Sequence, residues 1–238
     1  MADRIDLAER IAFGLGGWFQ TLACQSIAGQ AGENAAKLTA VQLLNAQNAY
    51  VPESSARPLN WGNTRLRIDI AIKGPTPAAK GWYGAIEIKW PGAKVDLDQT
   101  RAAIVQDALR LSFVETANIR ANLLVVGGES KVFQALFDKP HPRAPASEQK
   151  RQTLGKLLSR NSRNTDGMLL IRALSSAFSN YADRIPANVL GTFDGRLKTI
   201  LLASCDVKRG HTQVGQVFVW HCRRARGTQG VSKAIAAN

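Results

Sequence analysis

The chain is predicted to be an α/β protein, a mixed central β-sheet flanked by helices. Three observations carry that expectation. Two stretches, "LRIDIAI" at 66–72 and "GAIEIKW" at 84–90, alternate isoleucine with other residues at the period of a half-buried strand. A third, "ANLLVVGG" at 121–128, is a continuous apolar run ending in Gly-Gly, the profile of a central strand. Between them, "DLDQTRAAIVQDALRLSFVE" from Asp96 places Ile104, Leu109 and Phe113 at helical spacing, as a crossover requires.

From the N-terminus, residues 2 to about 22 read as a weakly amphipathic helix interrupted by "GLGG" at 14–17. A second helix starts at Gly32, in "GENAAKLTAVQLLNAQNA", with Leu38, Val41 and Leu44 on its apolar side. "YVPESSARPLNWGN" is rich in turn formers and reads as irregular. Strands follow at 65–73 and 83–90, joined by the loop "GPTPAAKG". Asp96 is placed to cap the crossover helix, and the buried strand comes next.

"KPHPRAPASEQKRQ" is a proline-punctuated linker. Helices are expected near 148–160 and 166–182, and a second strand pair near 197–207 and 213–224. There is no internal repeat. The expected organisation is one domain over 1–238: a core at about 24–128, an elaboration of helices and strands at about 147–226, and a basic tail at 223–238.

At 238 residues, 45% hydrophobic and 21% charged, the chain can bury a substantial core, which speaks against disorder. It has no apolar run of about 18 residues, so no membrane span is expected. Acids at positions 3, 6 and 9 do not suit the basic start of a secretory leader. Cys24, Cys205 and Cys222 are an odd count without CxxC spacing, which fits a reducing compartment, and the expected location is the cytoplasm. Cys205 and Cys222 lie on or beside apolar strands, so burial is the better reading of them than zinc ligation with His211 and His221. The net charge of +13 favours a polyanionic partner, chiefly nucleic acid.

The two isoleucine-rich strands each hold an acid, Asp69 and Glu87, although acids are depleted from strands and costly to desolvate. Alternation puts Glu87 and Lys89 on one face and Ile86 and Ile88 on the other, and sets Asp69 against Ile68 and Ile70. If the strands pair as a hairpin, both acids converge with the lysine. Two carboxylates form an oxygen-rich site suited to Mg²⁺, and a nearby ammonium can orient a bound water or neutralise charge on a phosphate.

At these residues the chain resembles the PD-(D/E)xK superfamily, the restriction-endonuclease-like phosphodiesterases. The resemblance rests on Asp69 and the "EIK" triplet Glu87-Ile88-Lys89 on consecutive strands, with "GENAAKLTAVQLL" similar to the family's N-terminal glutamate helix at Glu33. It covers roughly residues 24–128, and Ile68 stands where the family pattern has proline. The resemblance implies a restriction-endonuclease-like core with additional C-terminal helices and strands. It further implies Mg²⁺ or Mn²⁺ held by Glu33, Asp69, Glu87 and the Ile88 backbone carbonyl, and Lys89 serving the attacking water. Asp107, in "IVQDALRL", matches an acid that some members carry in the helix after the motif.

A D/E-x-K triplet arises about once by chance in a chain of this composition, and "ESK" at Glu129 and "DVK" at Asp206 are two more. Context separates them. Glu129 follows Gly-Gly and reads as a helix-start acid outside any strand. Asp206 reads as a solvated strand end, and its upstream acid, Asp194, lies in the turn signature "FDG". Trp61, Trp82 and Trp90 read first as packing and only second as platforms for bases.

The expectation is a metal-dependent nuclease that hydrolyses phosphodiester bonds, with DNA the expected substrate and discrimination between DNA and RNA left open, and with Asp69, Glu87 and Lys89 as catalytic residues. Lys208, Arg209, Arg223, Arg224 and Arg226 are candidate phosphate contacts. The alternatives are an inactive nucleic-acid-binding protein on the same fold and a basic protein that binds an acidic partner. Oligomeric state is left open, with a dimer compatible.

Overall fold

Leu7, Ile11, Leu15, Phe19 and Ala23, each four residues after the last, form a buried stripe along the first helix, α1 (Ala2–Cys24). The helix runs unbroken through "GLGG", where an interruption was expected. Those glycines serve packing: a Cβ on Gly14 would lie 2.5 Å from Leu43 Cδ1, and one on Gly16 would lie 2.4 Å from Cys205 Sγ. After a 3-10 turn at Ala28–Gln30 comes α2 (Glu33–Asn45), which buries Ala36, Ala40 and Leu44. This stripe is rotated from the expected one, and Leu38 is 60% exposed.

The computed structural model describes residues 2–46, 51–56, 67–73, 82–114, 121–137, 154, 157–158, 160, 166–170 and 196–224. Its remaining elements are β1 (Val51–Ala56), β2 (Ile68–Lys73), β3 (Trp82–Lys89), α3 (Leu97–Phe113), β4 (Ala121–Glu129), α4 (Ser130–Phe137), β5 (Asp166–Leu170), β6 (Arg196–Arg209) and β7 (Thr212–Arg224). The fold is α/β with an open mixed sheet, ordered β1-β2-β3-β4-β7-β6-β5.

All neighbouring strands are antiparallel except β3 and β4, which run parallel and are connected through α3. The Asp96 carboxylate caps α3, accepting from the N–H groups of Asp98 at 2.9 Å and Gln99 at 3.0 Å. Arg101, on the first turns of α3, is buried and donates to the Ala135 and Leu136 carbonyls at the end of α4, satisfying groups the helix leaves unpaired.

Three expectations are corrected. The segment read as irregular contains β1, an edge strand, which is where a sheet tolerates Pro52. The helix expected at 166–182 begins instead as edge strand β5; the rest of that span lies outside the described residues. Glu129 closes β4 rather than standing outside a strand, and α4 starts directly after it. Leu154 and Leu158 fall within the helix expected near 148–160, and the Leu158 N–H donates to the Leu154 carbonyl at 2.8 Å.

The sheet separates two apolar cores. One lies beneath α3 and α4 and includes Ala71, Ala85, Leu124, Val126, Leu154 and Leu157. The other lies beneath α1 and α2 and includes Ile70, Ile72, Ile86, Ile88, Leu123 and Val125. On β2 and β3, Ile70, Ile72, Ile86 and Ile88 fill the second core while Ile68 joins the first; Glu87 and Lys89 reach Arg110 and Asp107 of α3, and Asp69 reaches Lys37 of α2. No helix among the described residues is long and apolar enough to cross a membrane.

Candidate active site

The β2–β3 register ends on the pair Ile70–Ile86, and just beyond it the Asp69 and Glu87 carboxyls come close enough to act on each other. Both acids therefore leave the sheet side by side, at the end where β3 finishes. In α/β sheets the C-terminal ends of parallel strands form the usual ligand crevice, and a cleft of about 340 Å³ opens here, with Glu33, Lys89, Asp96 and Gln99 on its wall.

Four elements supply charged groups to this point. Helix α2 brings Glu33 and Lys37, β2 brings Asp69, β3 brings Glu87 and Lys89, and α3 brings Asp107 and Arg110. The Lys37 ammonium lies 2.7 Å from Glu33 Oε1 and 2.8 Å from Asp69 Oδ1. Lys89 Nζ lies 3.0 Å from Asp107 Oδ2 and 3.4 Å from Glu33 Oε1. Arg110 Nη1 lies 3.0 Å from Glu87 Oε1, though without hydrogen-bond alignment, and Nη2 is bonded to Asp107 Oδ1. The second oxygen of Asp69, Oδ2, accepts from the Ile88 N–H at 2.9 Å.

Burial grades across the cluster. Glu33 and Lys37 are partly open, whereas Glu87 is 1% exposed and Asp107 is 2% exposed. Desolvation pushes the Glu87 carboxyl well above its ordinary value; the negative charges of Asp107 and Asp69 add to this, and Arg110 only partly opposes it. Asp107 is also raised by burial, against the pull of Arg110 and Lys89. Burial would lower Lys89, but Asp107 and Glu33 outweigh it and the pKa is raised; Lys37 is raised likewise by Asp69 and Glu33. Four carboxyl groups thus face three cations, and the unbalanced negative charge falls on Glu87, the carboxyl most strongly pushed toward its protonated form.

The structure brings Glu33, Asp69, Glu87 and Lys89 together, with Ile88 between them. Sequence reasoning missed Lys37 and Arg110 and assigned Asp107 no role of its own. The signals were present locally: Lys37 is four residues after Glu33 and Arg110 three after Asp107, spacings that place side chains together on a helix. Every acidic donor is a hard oxygen suited to Mg²⁺ or Mn²⁺ rather than to a thiophilic metal. As the side chains stand, no three Asp, Glu, His or Cys groups among the described residues form a metal cage, because cations sit among the carboxylates.

The other candidates lie elsewhere. Asp206 is exposed, and its Oδ1 accepts from Gln213 at 2.8 Å and Gln216 at 3.2 Å; Asp194 lies outside the described residues. Lys208 and Arg209 are exposed at the tip of the β6–β7 hairpin, and Arg223 is exposed at its far end, opposite Lys198. The expected basic residues therefore do not form one patch. The Arg224 side chain and all of Arg226 lie outside the described residues.

Trp90 is 3% exposed, with ring centroids 5.3 Å from Trp18 and 5.4 Å from Phe19, so it is a packing residue. The Trp82 side chain and all of Trp61 lie outside the described residues. Comparison of the chain with family profiles, curated proteins and solved structures gives no match.

Proposed function

We propose that the chain is a metal-dependent nuclease that hydrolyses phosphodiester bonds in DNA, on a restriction-endonuclease-like core. The observation that supports this most is the convergence of Asp69, Glu87 and Lys89 from adjacent strands with Glu33 from α2, beside an open cleft. Glu33, Asp69, Glu87 and the Ile88 carbonyl would hold Mg²⁺ or Mn²⁺. Once bound, the ion supplies a Lewis acid and lowers the pKa of water.

The chain's own residues would do the rest. Lys89, on the cleft wall, presents an ammonium to a phosphate oxygen and neutralises charge that builds up there. Asp107, behind it, holds Nζ in place and keeps it protonated. Arg110 offsets the charge of the two most buried carboxyls, allowing them to sit in the core together. Lys208 and Arg209 would meet phosphates at the same end of the sheet as Lys89.

The test is incubation with plasmid, linear duplex, single-stranded DNA and RNA, each with Mg²⁺, Mn²⁺ or EDTA. Cleavage that needs the metal and is lost in Glu87→Gln is expected; cleavage by neither metal on any substrate rejects the reading. The second reading is an inactive nucleic-acid-binding protein on the same fold. It draws support from Lys37, whose ammonium lies between Glu33 and Asp69. That reading requires DNA binding without any Mn²⁺ binding.

A further inference from the structure

Lys37 has no part in the mechanism above, yet it occupies the most telling place in the cluster. Its Nζ lies within 2.8 Å of a carboxylate oxygen on each side, Glu33 from its own helix and Asp69 from β2. These two residues come from different elements, α2 and β2. One ammonium spans them. Glu33 also faces Lys89 at 3.4 Å, and Asp69 also holds the Ile88 N–H at 2.9 Å, so both carboxylates are fixed whether or not Lys37 is there.

We propose that Lys37 is a place-holding cation, which fills the gap between Glu33 and Asp69 until a divalent metal displaces it and so sets the affinity of the site for that metal. The inference rests on the nuclease reading, because it takes these two carboxylates to be metal ligands. A divalent ion brought between Glu33 Oε1 and Asp69 Oδ1 meets, and is repelled by, an ammonium already seated there. Metal entry must therefore break at least one of the two ion pairs, and the free energy of that pair is subtracted from metal binding. Lys37 sits on the partly open side of the cluster and ends in a flexible four-carbon stem, so it can swing out without moving α2. Arg110 cannot replace it, since it is engaged with Glu87 and Asp107 on the buried side.

The experiment measures Mn²⁺ binding without nucleic acid, by calorimetry and by the electron paramagnetic resonance of free Mn²⁺, for the wild type, Lys37→Met and Lys37→Arg. Lys37→Met is expected to bind Mn²⁺ about five-fold tighter or more. In EDTA its melting temperature is lower than that of the wild type, because the ion pairs of Lys37 with Glu33 and Asp69 are lost and Lys89, at 3.4 Å, is left facing Glu33. Mn²⁺ should raise that temperature more than it raises the wild type's. Lys37→Arg keeps the charge and is expected to bind Mn²⁺ as weakly as the wild type or more so.

Equal or weaker Mn²⁺ binding by a folded Lys37→Met protein overturns the inference and leaves the nuclease reading standing. Absence of Mn²⁺ binding by all three proteins overturns both. Should Lys37→Met fail to fold, Lys37→Gln takes its place with the same expectation, and equal binding there is equally decisive.

Discussion

The Ile88 N–H donates to Asp69 Oδ2 at 2.9 Å, so a side-chain carboxylate takes a position on the β2–β3 ladder beyond the Ile70–Ile86 pair. This bond orients Asp69 and leaves its other oxygen turned to Lys37 at 2.8 Å. An acid in the strand is thereby compensated in two ways, by a backbone donor and by a cation.

Asp69→Asn preserves an acceptor for the Ile88 N–H and removes only the charge, so it isolates the electrostatic role. With Glu87→Gln it should lower cleavage by at least about a hundredfold while nucleic-acid binding persists. Lys89→Met should reduce turnover and leave Mn²⁺ binding largely intact. Asp206→Asn should cleave normally, because Asp206 is exposed and bonded only to Gln213 and Gln216 in the contacts described above. A fully active Glu87→Gln protein beside a dead Asp206→Asn protein would move the site to the hairpin.

Stability without metal should fall as the pH rises. A carboxyl whose pKa is higher in the fold than in the unfolded chain binds its proton more tightly when folded, so acid favours the fold. Glu87 contributes from its ordinary value of 4.5 upward and Asp107 from 3.8 upward. Denaturant titrations in EDTA should show lower stability at about pH 8 than at about pH 5, and Glu87→Gln should remove much of the difference. Because the Glu87 pKa is raised, Mn²⁺ competes with a proton for that carboxyl, so binding should tighten as the pH rises. A pH-independent affinity over that range would contradict the raised pKa of Glu87.

The two basic groups should behave differently toward DNA. Strand β7 is 13 residues long, so Arg223 lies about 40 Å from the hairpin tip. Lys208→Ala with Arg209→Ala should weaken binding to unrelated sequences and flatten the salt dependence by about one unit of slope per lost phosphate contact. Arg223→Ala should change the slope less. The reverse order would place the nucleic acid at the other end of the sheet.

Gly127→Ala should destabilise the fold, since a Cβ there would lie 2.1 Å from the Trp90 ring, which is wedged against Trp18 and Phe19. The expected cost is about 1–3 kcal/mol, read from the denaturant midpoint. Trp90→Leu in the same chain should recover part of it, and a double variant no better than the single one would refute the steric cause.

The strands that place the acids were legible because alternation survives in them: Ile70, Ile72, Ile86 and Ile88 fill one core, and Glu87 and Lys89 reach away from it to α3. The Asp96 cap and the continuous apolar run of β4 were legible for similar local reasons. Strand β1 was hidden because an edge strand carries Pro52 and turn formers at no cost to the sheet. The glycines of α1 were misread because their purpose lies in Leu43 and Cys205, far along the chain. The same holds in the site. That Lys37 pairs with Glu33 is a four-residue relationship, but that it also reaches Asp69 depends on how α2 settles over β2.

Helix α1 packs on β6 and β7, and Gln20 is bonded in both directions to the Lys208 backbone. Helix α1 is therefore made well before the strands it rests on. Until β6 and β7 emerge, Leu7, Ile11 and Leu15 lack the part of their cover that those strands supply. Contacts so distant in sequence make closure slow. A ribosome stalled anywhere before residue 196 would release a product that cannot complete this core, whatever the state of its acidic cluster.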